Sequence, residues 1–296
     1  MLLHVSLLLC ATPLFAVPAG YRHYSGYIPA GDDVTTLPAG SSLASAKVLC
    51  TATPACAAFT YYGNASTPTG TIYLKNSTGW DSFLFNATSE WSTYARVFGP
   101  CDLLLAAGTP CVAALSVARA LYGAYAGPLY AVNRTSDGAL LDVAPLGPGG
   151  AVDTAPLAAF CGGAPCVVQH LYDQSPMGNN LGVASKDGRV DKPVPAMNAS
   201  FVIDGAAAFA LFFTGGQGYR NDTTTSIATG NEEETMYAVI DGTVWNSECC
   251  FDFGNAEVDN HDDKAGTMEA VSFGSNDVYS KGAGEGPWIS ADLEDG

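Results

Sequence analysis

The stretch from Trp288 to Glu294, close to the end of the chain, could do chemistry on a sugar. In an extended strand successive side chains alternate, so Trp288, Ser290, Asp292 and Glu294 share one face while Ile289, Ala291 and Leu293 take the other. An aromatic ring stacks on the C–H face of a sugar, and carboxylates hold its hydroxyls or serve as acid, base or nucleophile at its anomeric carbon. Upstream stands an adjacent cysteine pair in Cys249-Cys250-Phe251-Asp252-Phe253-Gly254-Asn255-Ala256-Glu257. Bonded cysteines prefer Cα separations of about 4.4–6.8 Å, whereas neighbours across a trans peptide sit about 3.8 Å apart. A bond between these two would be strained in the way functional sites tolerate; two buried thiols are the plainer alternative.

The two carboxylates differ in what they can do. Residues two apart on one strand face lie about 6.6–7 Å apart, and both approach a sugar from the same side. A retaining glycosidase needs carboxyl groups about 5–5.5 Å apart, one attacking the anomeric carbon and one protonating the leaving oxygen. Asp292 is therefore not the acid partner of Glu294. Taken alone, an Asp-x-Glu at a strand end is more often a solvated edge than a catalytic pair. Asp252 and Glu257 read as hydrogen-bonding residues of a turn. Tyr172-Asp173-Gln174-Ser175, with only His170 nearby in sequence, makes no catalytic triad and reads as scaffold.

Composition narrows the partners. The chain has 296 residues, 12 basic against 29 acidic, a net charge of −17 and a pI near 4.3. Proteins that bind nucleic acid neutralise phosphates with clustered Lys and Arg, so a nucleic-acid partner is excluded. Met1 to Ala19 reads as a secretory leader, with Leu7-Leu8-Leu9 in its apolar run and small residues at Ala16 and Ala19. The run is shorter than the roughly 20 apolar residues of a spanning helix. No membrane attachment is expected, and the mature protein is expected outside the cell as a monomer. Asn64, Asn76, Asn86, Asn133, Asn198 and Asn221 head Asn-x-Ser/Thr triplets, in keeping with that route. Losing Cys10 with the leader leaves four close pairs: Cys50/Cys56, Cys101/Cys111, Cys161/Cys166 and Cys249/Cys250. Pairing nearest neighbours closes short loops and leaves no thiol over, although sequence alone does not fix connectivity. The spacings are not the paired C-x₂-C type and the few histidines do not accompany them, so no metal or other cofactor is expected.

The elements that must position these residues fall into two groups. Between residues 20 and 98 the sequence predicts a helix over Ser42 to Thr51, a strand over Ala57 to Tyr62, and further strands at Ile72 to Leu74 and Tyr94 to Val97. A helix carrying one cysteine, a second cysteine shortly after and an aromatic strand resembles a PAN/apple-like module, a small α+β fold that binds glycans or proteins. A structural appendage is the alternative. Gly99-Pro100 marks a boundary. Beyond it the pattern predicts a short helix over Thr109 to Tyr122, with Thr109 as N-cap and Pro110 at the first position. Turn-separated segments follow at Leu129 to Asn133, Phe201 to Phe213, Met236 to Asp241, Met268 to Phe273 and Trp288 to Glu294, the pattern of a β-sandwich.

From Gly99 to the end, several motifs resemble, in order, the catalytic domain of the family 54 α-L-arabinofuranosidases. They include Pro100-Cys101-Asp102, Gly108 to Ala114, Arg119-Ala120-Leu121-Tyr122, Tyr172 to Ser175, Gly218 to Asn221, Met236 to Val239, Cys249 to Glu257 and Gly282 to Ile289. The resemblance implies a mostly β, lectin-like (concanavalin-type) sandwich over residues 99–296. It implies removal of terminal non-reducing arabinofuranose from arabinan and arabinoxylan with retention of configuration. It makes Glu294 the nucleophile and Asp292 a sugar ligand, and makes Cys249–Cys250 a vicinal disulfide walling the pocket. Tyr279 stands where the family has a stacking Trp, and Asp295 and Gly296 stand where it has sugar-holding Asn residues. The family's acid/base aspartate and its arabinose-binding β-trefoil fall past Gly296, so the chain is expected to be the front part of a longer protein. Two other functions fit the residues: a lectin-like protein that binds arabinofuranosyl glycans without hydrolysis, and a recognition protein whose sandwich has lost sugar binding.

The cysteine reading is open to direct measurement. Non-reducing peptide mapping should recover Cys50–Cys56, Cys101–Cys111, Cys161–Cys166 and Cys249–Cys250. A bridge between residues 20–98 and residues 99–296 would overturn both the pairing and the division into two parts.

Overall fold

The computed structural model describes residues 2–7, 20–53, 55–76, 84–85, 90–186, 189–203, 205–229, 232–245, 252–255, 268–275 and 283–294. They form two compact units: Pro13–Gly99 with Tyr122–Tyr125, and Met1–Thr12 with Pro100–Leu121 and Ala126–Gly296. The first strand, β1 (Leu2–Leu7), belongs to the larger unit.

The smaller unit contains β2 (Gly20–Tyr27), β3 (Asp33–Leu37), α1 (Leu43–Ala52), β4 (Ala58–Asn64), β5 (Thr67–Lys75), β6 (Leu84–Phe85) and β7 (Trp91–Val97). Its strands make one antiparallel sheet in the order β3-β5-β4-β7-β2-β6. Helix α1 starts where Ser42 accepts a hydrogen bond from the Ser45 amide at 3.0 Å, which satisfies one of the donors a helix start leaves over. Its buried side, Ala46 and Cys50, packs on Phe59, Tyr61, Ile72, Leu74 and Tyr94. Phe59 and Tyr94 stack with centroids 5.4 Å apart, and Cys50–Cys56 ties the helix to the start of β4. Lys75 is buried, and its charge is met by Asp33 at 2.6 Å and the carbonyls of Pro29 and Gly31.

The larger unit continues with α2 (Pro100–Ala106), β8 (Cys111–Ser116), β9 (Tyr130–Arg134), β10 (Ala139–Val143), α3 (Ala155–Cys161) and β11 (Cys166–Leu171). Short strands follow: β12 (Leu181–Val183), β13 (Ser185–Lys186), β14 (Arg189–Val190), β15 (Ala199–Ile203), β16 (Ala206–Ala210) and β17 (Tyr219–Arg220). The last are β18 (Glu234–Val239), β19 (Phe253–Gly254), β20 (Met268–Gly274) and β21 (Trp288–Glu294). All named strand pairs are antiparallel. The sheets are ordered β18-β1-β8, β10-β9-β11-β12-β17 and β19-β20-β21, with the hairpins β13-β14 and β15-β16. In this chain, which retains the stretch read as a leader, β1 fills the position between β18 and β8.

The helix expected over Thr109 to Tyr122 is not there. Residues 111–116 form β8 and the nearby helix is α2, with Pro100 as its first residue and the Thr109 amide bonded to the Leu104 carbonyl at its end. Every residue of β8 is buried. A strand buried on both faces loses the polar alternation that would mark it, and its alanines then read as helix formers.

One edge of β8 pairs with β1. Its other backbone groups bond to the Tyr172-Asp173-Gln174-Ser175 segment and to Asn179. Asp173 accepts from the Ala114 amide at 2.7 Å, the Ser175 amide at 2.8 Å, the Asn179 amide at 2.7 Å and the Ser175 hydroxyl at 2.6 Å. The Gln174 amide donates to the Ala114 carbonyl and Asn179 Nδ2 to the Val112 carbonyl, each at 2.8 Å. Gln174 Oε1 accepts from the Leu121 amide at 2.6 Å. The scaffold role read for this motif is what its contacts perform. Asp173→Ala strands three buried amides and should lower stability by about 3 kcal/mol or more, with Asp173→Asn losing less. Urea unfolding checks this; equal stability of wild type and Asp173→Ala would refute it.

Candidate active-site face

Strand β21 pairs with β20 along its whole length: Trp288 opposite Gly274, Ser290 opposite Ser272, Asp292 opposite Ala270 and Glu294 opposite Met268. Directly opposed residues of an antiparallel pair lie on the same side of the sheet, so these positions form one face. On that face Ala270 is fully buried and is itself opposed by Gly254 of β19. The residue opposite position 292 is therefore small, and the next one across the sheet is glycine. The other face presents Ile289, 78% exposed. The Trp288 ring lies against Gly286: a Cβ there would come within 2.7 Å of the ring, so only glycine leaves it room.

Strand β20 is the element that holds this face. The Asp252 amide donates to the Val271 carbonyl at 2.9 Å, and Asp252 Oδ2 accepts from the Phe273 amide. The Asn255 amide donates to the Glu269 carbonyl at 3.0 Å, while Asn255 Oδ1 accepts from the Glu269 amide at 2.7 Å. Asn255 Nδ2 reaches the Ala228 carbonyl at 3.1 Å, and Ala228 packs with Val112, Ala113 and Met236. Gly254 leaves no space for a side chain: a Cβ would meet the Glu269 carbonyl oxygen at 2.3 Å. Asp252 thus does the structural work read for it. Asn255, which the sequence reading passed over, does as much; its role is visible only once β19 and β20 are paired.

Of the residues expected at the site, the backbone places Asp292 and Glu294 side by side on one face. Cys249, Cys250, Tyr279, Asp295, Gly296 and Glu257 lie outside the described residues. Cys101–Cys111 and Cys161–Cys166 are bonded and sit in the scaffold, as does the Tyr219 hydroxyl, which accepts from the Val194 amide and donates to the Val168 carbonyl. Among the described residues no cluster of His, Cys, Asp or Glu could hold a metal ion, and no helix is long and apolar enough to cross a membrane.

Comparison with known proteins decides the family. The model for the catalytic domain of α-L-arabinofuranosidase B matches residues 100–296. The chain belongs to this family. It is 49% identical over 205 residues to a probable α-L-arabinofuranosidase B of Aspergillus flavus, covering 67% of this chain and 40% of that one. It is 46% identical over 205 residues to an arabinofuranosidase/β-xylosidase of Trichoderma koningii. A solved arabinofuranosidase complexed with arabinofuranosyl-α-1,2-xylobiose is 42% identical, with a TM-score of 0.64, over 66% of this chain and 42% of that one. A family 54 enzyme soaked with a cyclic sulfate inhibitor matches equally, with a TM-score of 0.64 over 67% of this chain. The chain thus spans about two fifths of the length of these relatives. The mostly β, sandwich-type architecture is the fold of the family.

A carboxylate pair beneath the site was not foreseen. Glu234 on β18 and Glu269 on β20 interact, and Oε2 of each is buried with no hydrogen-bond partner among the described residues. Burial, and then the charge of Glu269, push the Glu234 carboxyl up to about 7. The folded state therefore keeps this proton at a pH where the unfolded chain has lost it. The stability so contributed is complete below about pH 4.5 and is lost as pH rises through about 7. Glu234→Gln should raise the melting temperature relative to wild type more at pH 8 than at pH 5. A difference that is the same at both pH values, or larger at pH 5, would refute the assignment.

Proposed function

We propose that the unit built from Pro100 onward is part of a secreted retaining α-L-arabinofuranosidase that removes terminal arabinofuranosyl residues from arabinan- and arabinoxylan-type polymers. The observation that carries this is family membership taken together with the register of β21, which puts Asp292 and Glu294 on one face, Asp292 opposite the small Ala270. Glu294 is the nucleophile: its carboxylate attacks the anomeric carbon and forms a glycosyl ester as the C–O bond to the polymer breaks. A second carboxyl group protonates the leaving oxygen and then takes a proton from the water that hydrolyses the ester. Asp292 holds sugar hydroxyls, with Cys249–Cys250 and Tyr279 as pocket walls and residues 295 and 296 at its rim.

A non-catalytic reading has one observation in its favour. Asp292 and Glu294 sit on one strand, two residues apart, and cannot themselves be the pair that retaining hydrolysis requires. A protein with this face alone would hold arabinofuranose without cleaving it.

The two readings separate on Glu294. Glu294→Gln should cut turnover of an aryl arabinofuranoside about a thousandfold or more while sugar binding survives. Mass spectrometry after trapping with a slow fluorinated arabinofuranoside should find the label on the peptide containing Glu294. A label on Asp252, Glu257 or Asp292 would show the wrong carboxylate has been chosen, and a wild-type protein that binds arabinofuranose but never turns over would establish the lectin reading.

A further inference from the structure

The Asn-x-Ser/Thr triplets look alike in the sequence, and the structure divides them. An asparagine can take an oligosaccharide only if its amide nitrogen is open to a bulky donor and a hydroxyl stands two residues on. In the turn between β4 and β5, Asn64 is exposed, and its Oδ1 accepts from the Ser66 amide, the Ser66 hydroxyl and the Thr67 amide, each at 3.0 Å. Just after β17, Asn221 is partly exposed, and its Oδ1 accepts from the Thr223 amide at 2.8 Å and the Thr223 hydroxyl at 3.0 Å. A backbone N–H can only donate, so the atom it meets in both turns is the oxygen, and Nδ2 occupies the other branch of the side chain. Neither Nδ2 makes a hydrogen bond among the described residues. Asn133 is placed differently. It stands half-buried on β9, inside a sheet, with Leu140 of β10 and Val167 of β11 abreast of it. The hydroxyl of its triplet, on Thr135, donates to the Pro165 carbonyl at 3.1 Å.

We propose that Asn64 and Asn221 are acceptors of N-linked oligosaccharide and that Asn133 is not. In the transfer, Nδ2 bonds to C1 of the first sugar of an oligosaccharide carried on a lipid pyrophosphate. The bond from C1 to the pyrophosphate oxygen breaks, that oxygen keeps the electron pair, and the nitrogen gives up one proton. Both turns survive the change, because every bond that holds them runs to Oδ1 and the sugar is added at Nδ2. On Asn133 the same group would press a bulky hydrophilic chain against the flanking Leu140 and Val167, which lie within about 5.5 Å as cross-strand neighbours. The proposal rests on the secretory route included in the proposed function, since the lipid-linked donor is met on that route.

The test produces the full chain in a secreting yeast, once with its own residues 1–19 and once with a leader of the host in their place. Enzymatic removal of N-glycans in heavy-oxygen water turns each modified Asn into a labelled Asp, and peptide mass spectrometry reads the sites one by one. Asn64 and Asn221 should be labelled in most molecules and Asn133 left unlabelled. Ser66→Ala and Thr223→Ala should each lose one label and keep the other, while Ser66→Thr and Thr223→Ser keep both. An unlabelled Asn64 or Asn221 in protein exported behind the host leader would overturn the assignment, and so would a labelled Asn133. Labels that form only behind the host leader would support the two acceptors and sink the native secretory route. Trapping at Glu294 is read on a different peptide, so the enzymatic reading and this one fail separately.

Discussion

The buried carboxylate of Asp173 is the interaction on which the larger unit depends. A central strand must have its amides and carbonyls met on both edges, because an unmet buried polar group costs as much as a lost hydrogen bond. Along β8 one edge is met by strand pairing. On the other, Asp173 gathers amides from three separate places, residues 114, 175 and 179, and Gln174 and Asn179 meet the carbonyls of Ala114 and Val112. Asn179 carries the same network on to Thr225, accepting from its amide and donating to its carbonyl, each at 2.8 Å. A single segment from Tyr172 to Asn180 thus sets the position of β8 and of the chain that leads into β18.

From there the order reaches the candidate site through few steps. Ala228, packed with Val112 and Ala113, receives the Asn255 side chain, and Asn255 with Asp252 fixes β20. Strand β20 in turn sets the register of β21 and so which residues stand opposite Asp292 and Glu294. The chemistry proposed for Glu294 asks for a carboxylate held within fractions of an ångström, and rigid strands with side-chain hydrogen bonds beneath them provide that better than loops do.

What could be read in the sequence follows from how local each signal is. The alternation of Trp288 to Glu294 and the helix over Ser42 to Thr51 depend on neighbours a few residues away, and both stand in the structure, the helix as Leu43–Ala52 with Ser42 as its cap. The cysteine pairs Cys50/Cys56, Cys101/Cys111 and Cys161/Cys166 are bonded. The strand β8 was misread because its burial on both faces is a property of the packed unit, while the Thr109-Pro110 start signal is local. Glu234 and Glu269 belong to separate strands, and nothing in their flanking residues announces that they meet. The placement of Tyr61 and Tyr62 in the smaller unit was hidden for a similar reason: they are adjacent, and only the pairing of β4 with β7 assigns one to the core and the other to the surface.

The three bridges close loops of 6, 10 and 5 residues, each joining a helix to the strand that follows it. Loops so short contribute only about 2 kcal/mol each by restricting the unfolded chain. Their greater effect is on the order of events as the chain is made. Synthesis from the N-terminus presents the two sulfurs of a pair almost together and reaches the next pair only after a long interval of cysteine-free sequence. Wherever an oxidant is present, each of these bridges can therefore close before a competing thiol has emerged.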